Sequence, residues 1–190
     1  MAFAERRALL LDAQALGHLR HELVKQLGWT AARAILLRMG FAHGHATAEA
    51  NRTLDWEAAD DWRRAGGRFH RLQGLVDFQP VPAEERAPDA LAEALWHDSY
   101  EAEQHLAFLG RSDAPVCWTL TGFASGYLNA AFGAEPSPIL CLETRCVAQG
   151  DAVCRMVGKR LHDWGDEILP IAAALEHESL DAILDSAAAE

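Results

Sequence analysis

A set of four metal-type ligands in the second half of this chain constrains its fold most: Cys117, Glu143, Cys146 and Cys154. They sit in the segments Pro115-Val116-Cys117-Trp118, Glu143-Thr144-Arg145-Cys146 and Gly150-Asp151-Ala152-Val153-Cys154. Three thiolates and one carboxylate make a closed zinc site, and a closed site clamps a fold without offering a coordination position for chemistry. Residues 139 to 148 and 152 to 157 read as a hairpin around Gln149-Gly150-Asp151. That register sets Cys146 opposite Cys154, with Cβ atoms about 4.5 to 5.5 Å apart and both sulfurs within reach of one ion. Glu143 joins them if the strand bends or bulges, because strict alternation points positions 143 and 146 to opposite faces. Cys117, at the start of a helix over 114 to 132, would tie that helix to the hairpin. Cys141 shares a face with Glu143, so a four-cysteine site stays open as an alternative, as do ordinary buried thiols.

Half of the 190 residues are apolar, enough at this length for one well-buried core with a small N-terminal subdomain. A net charge of −11, with Lys and Arg scattered singly, excludes a large nucleic-acid face, so any DNA-binding module is expected outside this chain. No apolar run is long enough to span a membrane, and the N-terminus lacks a secretory h-region. The expected compartment is the cytoplasm, where cysteines are reduced or metal-bound and a Cys146 to Cys154 disulfide is not expected. Gly158-Lys159 is not a phosphate loop, because Arg160 stands where Ser or Thr would hold magnesium.

The apolar spacing predicts an amphipathic helix over 8 to 27, through Leu16, Leu19, Leu23 and Leu27 and ending at Gly28. A second helix, with Thr30 as N-cap, runs towards Thr47. Gly40 and Gly44 inside it each cost about 1 kcal/mol relative to Ala, which suggests close helix packing. Gly66 and Gly67 punctuate the chain. Val76 to Val81 reads as a short strand stopped by Pro80 and Pro82, and 82 to 89 as a loop. Residues 89 to 109 fit either one helix or a strand up to Trp96 followed by a helix. The second is preferred, because Asp98 and Glu101 form a capping box. Gly122 and Gly126, four apart in the 114 to 132 helix, allow another backbone to approach. From Asp166 a helix-like tail carries Ile168, Leu169, Leu175, Leu180, Ile183 and Leu184. The pattern is α+β: a helical N-terminal region followed by mixed helices and antiparallel strands.

Taken together, these motifs are specific. Pro115-Val116-Cys117-Trp118, Gly122-Phe123-Ala124-Ser125-Gly126-Tyr127, Glu143-x-x-Cys146-x7-Cys154 and Gly158-Lys159 with Trp164 resemble the effector-sensing domains of NtrC-type activators of aromatic catabolism, which contain a 4-vinyl-reductase-like domain. The likeness extends upstream through Arg20-His21-Glu22-Leu23-Val24 and Arg38-Met39-Gly40-Phe41. It implies structural zinc on Cys117, Glu143, Cys146 and Cys154, with Cys141 a core residue. It also places a phenol-recognition pair on His70 and Trp96. Hydrocarbon-sensing members of the family often lack the histidine, so its presence implies a phenolic effector. Two departures stand out: the connection from Tyr127 to Glu143 is longer than usual, and the one from His70 to Trp96 is shorter. The resemblance further implies three regions: a helical dimerisation region over 1 to 55, an aromatic-ligand-binding domain over 56 to 165, and a linker over 166 to 190 towards an ATPase domain of a longer parent protein. The expected assembly is a homodimer without catalysis.

In such a pocket Trp96 can only donate a hydrogen bond, whereas a neutral His70 can accept the phenolic proton. Phe69, Trp96, Phe123 and Tyr127 would supply much of the apolar wall. Burying a phenol ring of roughly 150 Å² contributes about 4 kcal/mol, and two hydrogen bonds about 1 kcal/mol each. Before association costs, that sum supports modest affinity. A frame built around a hydroxyl rejects analogues without one, because its polar groups are then left unpaired. Phenol and small cresols are therefore expected to bind better than benzene or toluene. The alternative is a small 4-vinyl-reductase-like enzyme or hydrophobe-binding protein, although the sequence offers no redox-cofactor motif.

Overall fold

The computed structural model describes residues 2–3, 6–7, 9–58 and 61–176. Two short strands, β1 (Ala2–Phe3) and β2 (Arg6–Arg7), pair antiparallel at the N-terminus. The helix α1 (Ala13–Arg52) follows, started by Asp12, whose carboxylate accepts from the Ala15 amide at 2.8 Å. Gly28 breaks it with φ 76°, a left-handed conformation that glycine adopts at no steric cost. Helical geometry resumes directly, so Thr30 lies inside α1 instead of capping a separate helix. The expectation of a break at Gly28 holds; that of a new cap does not, because a kink needs no intervening loop.

Beyond a 3-10 turn (Asp61–Arg64) come α2 (Gly66–Leu72), β3 (Asp77–Pro80), β4 (Ala92–His97), α3 (Tyr100–Leu109), α4 (Trp118–Phe132), β5 (Ile139–Arg145), β6 (Cys154–Arg160) and α5 (Leu169–Leu175). The tail readings at Leu180, Ile183 and Leu184 lie outside the described residues. Strands β3, β4, β6 and β5 form one antiparallel sheet in that order. Helix α4 covers the sheet through a core including Trp96, Val116, Leu120, Cys141 and Met156. Helix α1 lies over α4, and α5 joins α1 through Val24, Leu36, Ile168 and Ile171.

The contact between α1 and α4 is backbone against backbone. A Cβ on Gly40 or Gly44 would collide with the carbonyl oxygen of Thr119 or Phe123. A Cβ on Gly122 or Gly126 would collide with that of Leu37 or Phe41. The two glycine pairs seen in the sequence therefore face one another, and each is required by the other helix's main chain. Nearby, Arg20 Nη1 donates to Glu101 Oε1 at 2.8 Å and Nη2 to the Val116 carbonyl. The Glu101 oxygens also accept from the Thr119 and Leu120 amides at 3.0 and 2.9 Å, where the orphan donors at the start of α4 favour a negative charge. The expected capping box at Asp98 is thus corrected. Ser99 is the N-cap of α3, its hydroxyl accepting from Ala102, because Glu101 is drawn away to cap α4.

Candidate metal centre and ligand pocket

The hairpin differs from its expected form in a way that builds the cluster. The ladder pairs Glu143 with Met156 and Arg145 with Arg155, leaving Thr144 as a bulge. Strand β5 ends at Arg145, and a 3-10 turn (Val147–Gln149) occupies the connection. Cys146 is consequently beyond the ladder and not opposite Cys154; Cys154 pairs across β4 with Trp96. The extra residue at the bulge turns Glu143 and Cys146 to one side, and Asp151 holds the Cys146 amide at 2.8 Å. Cys117 arrives at the N-cap position of α4, later in the chain than the expected helix start.

One ligand atom from each of Cys117, Glu143, Cys146 and Cys154 lies within 4.8 Å of the others, and all four residues are buried. The Cys117 and Cys154 sulfurs are 3.8 Å apart, and those of Cys154 and Cys146 are 4.0 Å apart. Tetrahedral zinc with bonds of about 2.3 Å places sulfurs about 3.8 Å apart. Glu143 Oε2 accepts from the Cys117 amide at 2.8 Å, whereas Oε1 is buried without a partner. That orphan oxygen is the group a cation would satisfy. Burial, then the neighbouring Cys146 charge, pushes Glu143 up to about 8. Burial followed by its thiol neighbours raises Cys117. Four acids so crowded cannot all ionise unless a positive charge sits among them. The residues therefore fit a divalent metal. Cys141 stands apart: its amide is held by Ser125 Oγ at 2.9 Å, and burial pushes its thiol up to about 12.

A second feature opens beside the cluster. A cavity of about 900 Å³ is lined at depth by His70, Phe78, Trp96, Phe123, Tyr127 and Met156. His70 comes from α2 and Trp96 from β4, and Phe78 is the direct cross-strand partner of Trp96. Gly67 leaves room for the Phe78 ring, which a Cβ there would penetrate. The Trp96 indole Nε1 is buried with no hydrogen-bond partner among the described residues. Burial, followed by repulsion from His43, pushes His70 down to about 3. Its imidazole is therefore neutral and able to accept.

Among the sequence-predicted wall residues, Phe123 packs 4.0 Å from His70 between ring centroids and Tyr127 lies beyond it, stacked at 5.8 Å. The Tyr127 hydroxyl donates to the Trp62 carbonyl and accepts from Asn51 at 3.0 Å, so this residue offers the cavity its ring and not its hydroxyl. Phe69 is not among the residues that line the cavity, because one step along α2 from His70 turns the side chain by about 100°. Phe78 takes that place. Sequence reasoning passed over Phe78, although the strand reading and its alternation could have found it. It also passed over His105, which is fully buried beside the Trp29 and Trp118 rings.

Fold and site together define an α+β sensory-type domain: a kinked helix locked onto a four-stranded sheet, with a ligand-sized cavity and a closed cluster of metal-type side chains. The family described as "Activator of aromatic catabolism" matches residues 1–85, and the 4-vinyl-reductase-like domain family matches residues 96–160. The chain is 35% identical over 173 residues to the phenol regulator MopR of Acinetobacter guillouiae, covering 88% of this chain and 30% of that protein. It is 33% identical over 165 residues to the transcriptional regulatory protein XylR of Pseudomonas putida, covering 85% and 29%. The crystal structure of the phenol-responsive sensory domain of the transcription activator PoxR with phenol superposes with a TM-score of 0.79 at 34% identity, covering 92% of this chain and 87% of that one. The chain belongs to this family of activator sensory domains, and it spans under a third of the length of the curated relatives it matches. Among the described residues no helix is long and apolar enough to cross a membrane.

Proposed function

We propose that this chain is the effector-sensing domain of a transcription activator and binds phenol or small substituted phenols between His70 and Trp96. The observation that carries this reading is the buried, unpartnered Trp96 N–H in the cavity that a neutral His70 also lines. One hydroxyl satisfies both, donating to the imidazole and accepting from the indole. Phe78, Phe123 and Tyr127 hold the ring. The phenol-responsive relatives support the same ligand class.

Zinc is the proposed metal, held by Cys117, Glu143, Cys146 and Cys154, because three thiolates select a soft divalent ion. When bound it supplies charge neutralisation and a cross-link between α4 and the hairpin, and no reaction step is assigned to it. The domain senses and does not catalyse. Residues 1 to 55 are proposed to dimerise, 56 to 165 to bind ligand, and 166 to 190 to link to an ATPase whose repression the ligand relieves, in a cytoplasmic protein with a separate DNA-binding domain. Calorimetric titration with phenol, cresols and toluene, repeated with His70→Ala, tests the reading. Phenol is expected to bind, toluene to bind more weakly, and His70→Ala to remove the difference. Equal affinity for phenol and toluene in the unmodified protein would sink it.

A further inference from the structure

The cavity is far larger than one phenol ring. Its volume of about 900 Å³ is at the upper end of sites that hold drug-sized ligands, so a ring held at His70 and Trp96 leaves room towards the mouth. That mouth is basic. Arg63, Arg64, Arg68, Arg71 and Arg86 all line the cavity, against the single carboxylate of Glu93, in a chain whose net charge is −11.

Several of these charges are already engaged. Arg71 pairs with Asp77 at 2.9 Å, Arg86 donates to the carbonyls of Val81 and Leu91, and Arg63 lies over the Trp62 and Phe132 rings. Glu93 is tied to Arg155 and accepts from the Ala87 amide at 2.7 Å. Arg64 and Arg68, by contrast, are exposed and carry no ion pair among the described residues. Arg64, Arg68 and Arg71 follow one another at intervals of four and three through the Asp61–Arg64 turn and α2, the spacing that aligns side chains along one side of a helical segment. His70, two residues past Arg68, points the other way, towards the floor.

We propose that the mouth is an anion subsite, and that the ligands of this chain include phenols carrying a carboxylate on a short flexible arm, the hydroxyphenylalkanoate class. This rests on the reading that the hydroxyl is held at His70 and Trp96. The arm crosses from the inner to the outer side of α2, and the carboxylate meets Arg64 and Arg68. The acidic surface elsewhere does not oppose this, because charges beyond about 8 Å are screened at physiological ionic strength. A cleft with low-dielectric walls concentrates the field of the nearer arginines.

The test is calorimetric titration of the whole chain with phenol, para-hydroxyphenylpropionate and the methyl ester of that acid, at low and high salt. The ester matches the acid in shape and lacks only its charge. The acid is expected to bind roughly fivefold tighter than the ester at low salt, an advantage that high salt erases and the Arg64→Gln, Arg68→Gln double variant abolishes. Phenol affinity is expected to be the same in that variant, which shows that the pocket remains folded. An acid that binds no tighter than its ester, or a preference that survives the double variant, overturns the anion subsite. Failure of phenol itself to bind would instead overturn the phenol pocket, so the two readings fail separately.

Discussion

Trp96→Phe tests the pocket most directly, because it removes the indole N–H while keeping an aromatic ring. This N–H is buried without a partner among the described residues, on a side chain only 1% exposed. An unpaired buried donor costs about 1 to 3 kcal/mol, and a hydrogen bond to a ligand hydroxyl returns about 1 kcal/mol net. Phenol binding should therefore weaken by about 1 to 2 kcal/mol, roughly five- to thirtyfold. Toluene leaves the donor unpaired in the unmodified protein and should lose only the contact of the missing ring. The informative quantity is the ratio of phenol to toluene affinity, which should fall roughly tenfold by calorimetry. Stability measured without ligand has two opposing terms. The smaller ring leaves a void, while the orphan donor disappears, so thermal unfolding should move less than for an ordinary large-to-small core change. A phenol to toluene ratio unchanged by the substitution would refute the reasoning. So would a full-sized loss of stability, since that would mean the indole N–H is satisfied before ligand arrives.

Gly44→Ala and Gly122→Ala should each lower stability by about 3 kcal/mol or more, because the new methyl meets the backbone oxygen of Phe123 or Leu37; an unchanged melting temperature for either would contradict the backbone contact. Metal analysis should find one zinc per chain, and Cys154→Ser should lower both zinc content and phenol affinity, because Cys154 is the cross-strand partner of Trp96; full phenol affinity without metal would separate the two features. For pH, His70 lies at about 3 when folded against an ordinary value of 6.5, so the unfolded chain binds more protons between those values. Its contribution is full above pH 6.5 and is lost as the pH falls towards 3, at up to about 1.4 kcal/mol per unit. His70→Gln should flatten the loss seen by urea unfolding across that window, and an unaltered slope would show that His70 is not buried neutral.

Much of the site was legible in the sequence because it depends on local rules. Residue types and spacing singled out Cys117, Glu143, Cys146 and Cys154 as one group, and the conflict between positions 143 and 146 called for a bulge, which Thr144 supplies. The paired glycines foretold a close helix contact, since only an approaching backbone repays glycine inside a helix. His70 and Trp96 came from the family resemblance, and their meeting in one cavity is a property of the fold.

Other features belong to the tertiary structure alone. Ser99 and not Asp98 caps α3 because Glu101 leaves its own helix to serve Arg20 and the start of α4, a choice between partners far apart in sequence. Phe78 and not Phe69 lines the cavity because the pairing of β3 with β4 brings it against Trp96. Strand order β3-β4-β6-β5 sets Cys154 opposite Trp96, and so places the metal cluster next to the ligand pocket. Sequence periodicity determines which way a side chain points from its own helix or strand. Which side chain it meets depends on register and packing between segments many residues apart, and no local pattern encodes that.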